Sequence, residues 1–155
     1  MSTAAEHGHA RVDVAAEFGE MYPSAMAINK LVGEAIGEHL AELVYLRGSY
    51  LNGCAFCIDT HTRAAIRAGR SERKLFLVAA WREAPDHFTE AERAALALTD
   101  EVTRLGEHGV SDEVYGRAAE HFPPRELAAL ITGIALINFL NRIGVTTHMQ
   151  PPVRD

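Results

Sequence analysis

The residues best suited to chemistry are two cysteines three positions apart, with a histidine shortly after them. Cys54 and Cys57 are followed by His61, four positions beyond Cys57. Steps of three and four place side chains on one face of a helix, so we expect all three to meet at one point. The helix that carries them is predicted to begin at Cys54. Its positive N-terminal end and a neighbouring imidazolium both favour a thiolate, so the pair is predicted to be reactive.

One acidic residue on the preceding helix can complete this group. Glu42 stands twelve residues before Cys54 and is predicted to tilt towards the interior, where a carboxylate needs a partner. If the two helices fold back on each other through Asn52-Gly53, Glu42 can orient His61 directly or through a water, as in nucleophilic catalysis. This predicts a proton relay from Glu42 to His61 to a cysteine. The ordinary alternative for Glu42 is a surface ion pair with Arg47.

The cysteine pair is also compatible with roles other than redox catalysis. Two thiols on a helix can be packing residues, and a structural disulfide across so short a loop would restrain the unfolded chain very little. Zinc is the strongest competitor, because the two thiols, His61 and Glu42 offer four ligands. A single pair without a second one is, however, a weak zinc pattern. A thioredoxin-like motif lies between a strand and a helix, whereas here a helix precedes the motif.

The elements that must position these residues are helical by their patterns. Apolar residues recur at three- and four-residue steps, and glycines, prolines and capping residues mark the ends. No sustained period-two run is present in the sequence, so the prediction is an all-α, single-domain helical bundle of about six to seven helices. The predicted helices cover residues 24–32, 38–51, 54–68, 71–82, 89–105, 111–120 and 126–145.

The outer parts of the chain are predicted to be less regular than the bundle. We expect a poorly ordered or subunit-docking arm over residues 1–20, a helical domain over 21–150 and a short tail over 151–155. The long helix near the end is apolar on nearly every side. A bundle this small cannot easily wrap such a helix, so we expect part of its surface to meet another subunit in a homo-oligomer.

Composition and charge exclude several classes of function. The 155 residues carry a formal net charge of -6, which argues against a nucleic-acid partner. The N-terminus does not have the pattern of a secretory signal. The most apolar stretch, Ala128 to Leu140, is shorter than the roughly 20 residues of a membrane span. We therefore expect a cytoplasmic protein, where a cysteine pair more often serves redox or metal chemistry than structure.

Several of these residues together carry a family resemblance. Glu42, the run Asn52-Gly53-Cys54-Ala55-Phe56-Cys57, His61 and the run Ala79-Ala80-Trp81-Arg82-Glu83 resemble the AhpD-like branch of the carboxymuconolactone decarboxylase family. The resemblance extends through residues 89–98 and 137–142. One departure is Phe56, where some members carry a second histidine between the cysteines.

The resemblance implies an all-helical oligomeric peroxidase, a trimer or a hexamer, that acts on hydrogen peroxide or small organic hydroperoxides. Cys57 would attack the peroxide, Cys54 would resolve the sulfenic acid as a disulfide, and His61 with Glu42 would move the proton. The electron donor would be a dithiol, in some members a lipoyl group, and no metal, flavin or haem is expected. The alternatives are the lyase activity that names the wider family and a non-enzymatic redox-sensing or zinc-binding protein.

Overall fold

The computed structural model describes residues 11–153, and over that span the chain is built from helices. The eight α-helices are α1 Val14–Phe18, α2 Tyr22–Ile36, α3 Glu38–Asn52, α4 Ala55–Arg67, α5 Glu72–Leu77, α6 Glu90–Thr103, α7 Asp112–His121 and α8 Pro124–Thr147. Short 3-10 turns cover Gly19–Met21, Val78–Glu83 and Pro85–His87. Within residues 11–153 there is no β-strand, only an isolated bridge between Gly106 and Gly109. The all-α prediction is confirmed, and the seven predicted helices correspond to α2–α8.

Helix α3 lies at the centre of the bundle and is buried on two faces. One face packs on α2, α6, α7 and α8 through a cluster that includes Val44 and Tyr45. The other packs on α4, α5, α6 and the turn at Val78–Glu83, through a cluster that includes Leu43 and Leu46. Apolar burial on both sides makes α3 a rigid support for any residue that it carries.

Helix α8 is the second long element of the core. It spans 24 residues, so by length and composition it could cross a membrane, and the argument from the shorter stretch 128–140 does not hold. Its buried residues, however, pack against α2, α3 and α6. These contacts account for the buried apolar residues of α8, whereas Phe139 and Val145 on the same helix stay exposed.

Short-range sequence features specify several of the helix ends. Gly53 ends α3 with a φ of +66°, a left-handed conformation that glycine adopts without steric cost. Thr89 forms a capping box with Glu92 at the start of α6. Ser111 caps α7 through its side chain. The break between α3 and α4 is therefore fixed by local sequence, which matters because it positions the cysteines.

One predicted helix is interrupted in the structure. The segment 71–82 forms α5 only as far as Leu77 and continues as a 3-10 turn, in which Ala80 has non-helical backbone angles of φ -127° and ψ 40°. The guanidinium of Arg47 reaches from α3 and donates hydrogen bonds to the carbonyls of Val78 and Ala79, at 3.4 and 2.7 Å. Carbonyls engaged by a side chain no longer need α-helical partners, so this contact explains the break.

The arm predicted for residues 1–20 is described only in its second half. Residues 1–10 lie outside the described part. After them, Val14–Phe18 forms the short helix α1, capped by the side chain of Asp13. The guanidinium of Arg11 donates a hydrogen bond to the carbonyl of Thr146, at 2.7 Å, near the end of α8. The start of the described chain therefore lies beside the C-terminal end of the last helix.

Candidate active site

Glu42 and His61 form a direct pair between α3 and α4. The Nδ1 atom of His61 lies 2.8 Å from Oε2 of Glu42, and the side chains are 16% and 15% exposed. With Nδ1 donating to the carboxylate, Nε2 is the nitrogen left free to exchange a proton. Arg47, the alternative partner of Glu42, instead donates to Oδ1 of Asp100 at 2.6 Å. The structure thus brings Glu42 and His61 together as the sequence predicted.

The ring of Tyr45 supports this pair from the interior. Its centroid lies 5.1 Å from that of the His61 ring, with the two planes tilted by 53°. Tyr45 is 2% exposed, and its hydroxyl has no hydrogen-bond partner among residues 11–153. Burial, and to a smaller extent the nearby charge of Glu42, raise the pKa of Tyr45 well above its usual value. The Tyr45 phenol is therefore uncharged, and the imidazole of His61 packs against its ring.

Cys54 and Cys57 are joined by a disulfide at the start of α4. Their Cα atoms are 5.3 Å apart, and the residues are 2% and 6% exposed. Cys54 is the N-cap residue, and its Sγ accepts a hydrogen bond of 3.4 Å from the backbone N–H of Cys57. Backbone N–H groups in the first turn have no partners within the helix, and they favour negative charge on a sulfur placed there.

A pocket of about 500 Å³ opens beside the disulfide, between α2, α3, α4 and α8. Of the two cysteines, Cys57 lines it, together with Glu42 and His61. The walls are mainly apolar, and Phe56, which lies between the two cysteines in the sequence, forms part of them. The other large apolar residues of the wall are Met26, Leu136, Ile137, Leu140 and Met149. The site therefore combines one accessible sulfur with an acid–base pair in apolar surroundings.

A second cavity, of about 590 Å³, also borders Glu42 and has a mixed lining of small and charged residues. Charged side chains of α2, α3 and α4 line it, among them Lys30, Glu34 and Arg67. Glu42 borders both cavities, the mainly apolar one beside Cys57 and this one, which carries more charged side chains.

A buried network of amides joins α3 to α8 behind the disulfide. The side-chain amide of Asn52 donates to Oδ1 of Asn138 and of Asn141, at 2.9 and 3.0 Å. Asn141 in turn donates to Oγ of Ser49, at 3.0 Å. Asn141 and Ser49 are completely buried. Because every one of these amide and hydroxyl groups has a partner, the network fixes the end of α3 relative to α8.

Gly144 on α8 packs directly on the disulfide. A methyl group built on its Cα would lie 2.9 Å from Sγ of Cys54, 3.7 Å from Sγ of Cys57 and 3.8 Å from Sδ of Met149. At this separation of α8 from the disulfide, a side chain at residue 144 would therefore collide with the sulfur of Cys54. The sequence interpretation did not single out Gly144, Tyr45, Met149 or Ser49. The available signal for Gly144 was a glycine inside an apolar helix, which indicates a packing role.

The geometry also bears on metal binding and on residues outside the site. Among residues 11–153, no group of three or more His, Cys, Asp or Glu side chains converges as metal ligands would. Trp81 lies in the core cluster of Leu43 and Leu46, and its indole N–H donates to Oδ2 of Asp100 at 3.3 Å. Arg82 stacks over its indole, 4.2 Å from the ring centroid, and also pairs with Asp100. These residues stabilise the fold and stand apart from the pocket.

Comparison with known proteins finds one matching family profile and two similar bacterial proteins. The carboxymuconolactone decarboxylase family profile matches residues 16–101. The chain is 38% identical over 111 residues to the uncharacterized protein YdfG of Bacillus subtilis, across 72% of this chain and 75% of that one. It is 37% identical over 101 residues to the uncharacterized protein YnjA of Escherichia coli, across 64% of this chain and 54% of that one.

A solved structure is similar over nearly the whole length. It is a protein of unknown function from Agrobacterium tumefaciens, described as a candidate antioxidant defence protein AhpD. The TM-score is 0.86 at 35% sequence identity, and the match covers 94% of this chain and 99% of that one. The chain therefore belongs to the carboxymuconolactone decarboxylase family, in its AhpD-like branch.

Proposed function

We propose that this protein is a thiol-dependent peroxidase that reduces hydrogen peroxide or small organic hydroperoxides through Cys54 and Cys57. The observation that carries the proposal is the position of Cys57, which lines the apolar pocket together with His61 and Glu42. Cys54 lies deeper, against Gly144. A hydroperoxide that enters the pocket meets the sulfur of Cys57 first, so Cys57 is the attacking residue and Cys54 the resolving one.

The reaction has two chemical steps on the protein. In the first, the Cys57 thiolate attacks the terminal peroxide oxygen; the O–O bond breaks, leaving Cys57 as a sulfenic acid and releasing an alcohol, or water from hydrogen peroxide. In the second, the Cys54 sulfur attacks the sulfenic sulfur, so that a disulfide forms and one water leaves. The peroxide has gained two electrons, and the two thiols have lost them.

Protons in these steps pass through His61. Its Nε2 takes the proton of the Cys57 thiol and returns it to the alkoxide that leaves when the O–O bond breaks. Glu42, 2.8 Å from Nδ1, fixes the ring and stabilises its charged form. His61 lies one turn after Cys57 on α4, on the same helix face, which is the arrangement that such a transfer needs.

Regeneration requires a dithiol reductant, and the same pocket is its route to the disulfide. One thiol attacks Sγ of Cys57 and releases Cys54; the second thiol then releases Cys57 and closes a disulfide in the reductant. A narrow apolar dithiol, such as a lipoyl group, suits the apolar walls. We therefore expect dihydrolipoamide to reduce the disulfide faster than glutathione does at equal thiol concentration. Because the cycle needs a reduced dithiol, it fits a reducing compartment, and we expect the cytoplasm.

The direct test is intact mass after the fully reduced protein meets one equivalent of cumene hydroperoxide. We expect the wild type to lose two hydrogens promptly, and Cys54→Ser to gain one oxygen that maps to Cys57. Cys57→Ser should keep its mass. Oxygen on Cys54 in the Cys57→Ser variant would reverse the roles of the two residues. An unchanged wild-type mass would exclude the peroxidase function.

The lyase reaction that names the family is the second candidate, because the family profile covers more than half of the chain. Its substrate carries carboxylates, which proteins usually hold with Arg or Lys. The residues described around the pocket of Cys57 include neither type. Decarboxylation of such a lactone by a variant that lacks both cysteines would favour the lyase over the peroxidase.

Assembly into a homo-oligomer, a trimer or a hexamer, is part of the same proposal. Large apolar side chains are exposed on the outer faces of α2 and α8, among them Leu31 at 61% and Phe139 at 49%. Surfaces of this kind mark contacts between subunits. Light scattering on the purified protein should give three or six times the subunit mass, and Leu31→Glu with Phe139→Glu should reduce it. A monomeric wild type would contradict the proposal.

A further inference from the structure

Gly144 holds a position where any side chain would collide with the redox pair. A methyl group on its Cα would lie 2.9 Å from Sγ of Cys54, well inside the roughly 3.5–4.0 Å of a normal contact. The distance to Sγ of Cys57 would be 3.7 Å, which is an ordinary contact. The collision therefore falls on one sulfur of the pair and not on the other.

A glycine inside a helix destabilises that helix relative to alanine, because it orders a more flexible backbone. The angles at Gly144 are those of a regular helix and do not require glycine. Its buried position, against the disulfide and Met149, therefore points to the sulfurs as the reason for this residue type.

We propose that Gly144 is a positioning residue for the dithiol couple: it leaves the space that Cys54 Sγ occupies when it bonds to Cys57. The inference deepens the proposed dithiol cycle by identifying what controls its resolving step. In the disulfide, Cys54 Sγ is tied to Cys57 and cannot turn away from α8. In the dithiol, Cys54 can rotate about its Cα–Cβ bond and avoid an added methyl group. A side chain at residue 144 therefore disfavours the disulfide more than the dithiol.

The test is the thiol–disulfide equilibrium of Gly144→Ala against glutathione, measured by thiol alkylation and intact mass. Two glutathione thiols reduce the protein disulfide and become one glutathione disulfide, so no peroxide is involved. We expect the equilibrium to move about tenfold towards the dithiol, which corresponds to about 30 mV in the two-electron reduction potential. Because peroxide is absent, failure of this test and failure of the peroxidase proposal are distinguishable.

A kinetic measurement separates positioning from general damage to the fold. With cumene hydroperoxide, Gly144→Ala should oxidise Cys57 at the wild-type rate, since the added methyl group makes only an ordinary contact with that sulfur. Formation of the disulfide should be slowed about tenfold, so that a sulfenic acid accumulates and is trapped by a 1,3-diketone. Equal slowing of both steps would contradict the proposal.

Gly133→Ala is the matched control on the same helix. Its added methyl group would lie 3.0 Å from Cγ1 of Val32 and at an ordinary contact distance of 3.5 Å from Cε1 of Tyr45, and no sulfur is among its three nearest atoms. We expect its glutathione equilibrium to stay within about twofold of the wild type, whatever happens to its melting temperature. The proposal is overturned if Gly144→Ala matches the wild-type equilibrium, or if Gly133→Ala shifts it as strongly.

A double substitution identifies the colliding atom. Gly144→Ala should lower the melting temperature of the oxidised protein, because the methyl group and Cys54 Sγ overlap. In a Cys54→Ala background the sulfur is gone, so the same substitution should leave the melting temperature unchanged or raise it through better helix propensity. An equal decrease in both backgrounds would show that the collision is with another group and would overturn the assignment.

Discussion

The charge of Glu42 should set the rate of the first oxidation step. In Glu42→Gln the side chain keeps its shape, but the carboxylate that faces Nδ1 of His61 becomes a neutral amide. A hydrogen bond to a charged group contributes about 1.5–3 kcal/mol, and a neutral one about 0.5–1.5 kcal/mol. The pair is only 15–16% exposed, so solvent screens it little. The loss of about 1.4 kcal/mol corresponds to about tenfold slower oxidation of Cys57.

The assay is stopped-flow oxidation of the reduced protein by cumene hydroperoxide near neutral pH. Glu38→Gln is the matched control, because it makes the same chemical change one turn earlier on α3, at an exposed position. We expect the control to react at the wild-type rate and to keep the wild-type melting temperature. A Glu42→Gln variant that reacts as fast as the wild type, or a control that is equally slow, would refute the relay.

Three further predictions concern the framework around the site. Asn141→Leu should lower the free energy of unfolding by about 2 kcal/mol in urea titrations, because it removes two hydrogen bonds inside the bundle, one from Asn52 and one to Ser49. Asp100→Leu should lower it by about 3 kcal/mol, because Arg47, whose side chain is only 11% exposed, then lacks its carboxylate; equal stability would contradict the pairing. Partial burial acts to raise the pKa of Glu92, but hydrogen bonds from Lys74, the Thr89 backbone and Arg70 together lower it. A lowered pKa means that the charged form of Glu92 stabilises the fold above about pH 4.5, and that this stability is lost as the pH falls below that value. The wild type should therefore melt at a higher temperature than Glu92→Gln near neutral pH, and the difference between the two melting temperatures should shrink below about pH 4.5.

Local sequence was sufficient to predict most of the fold. The capping box at Thr89 and the left-handed glycine at residue 53 are short-range features, and the structure has both, whereas the side chain of Ser71, a good capping type by sequence, makes no capping hydrogen bond to α5. The contact between Glu42 and His61 was also predictable. It needs only two helices joined by a tight turn, and the residues at the turn specify that connection.

Features that depend on long-range contacts could not be predicted in the same way. The break after Leu77 depends on Arg47, which approaches from another helix and takes up two carbonyls. Arg47 pairs with Asp100 and not with Glu42, and no local sequence pattern indicates which of the two acids it binds. The approach of Gly144 to the sulfurs depends on the packing of α8 on α4, which helix periodicity alone does not specify.

The place of α8 in the chain has a consequence for how the protein is made. Glu42, the cysteines and His61 all lie in the first half of the sequence, whereas Gly144, which packs on the sulfurs, is synthesised much later. During translation the two thiols emerge from the ribosome before the helix that shelters them exists. A nascent chain that stalls before α8 therefore presents an unprotected dithiol to the solvent.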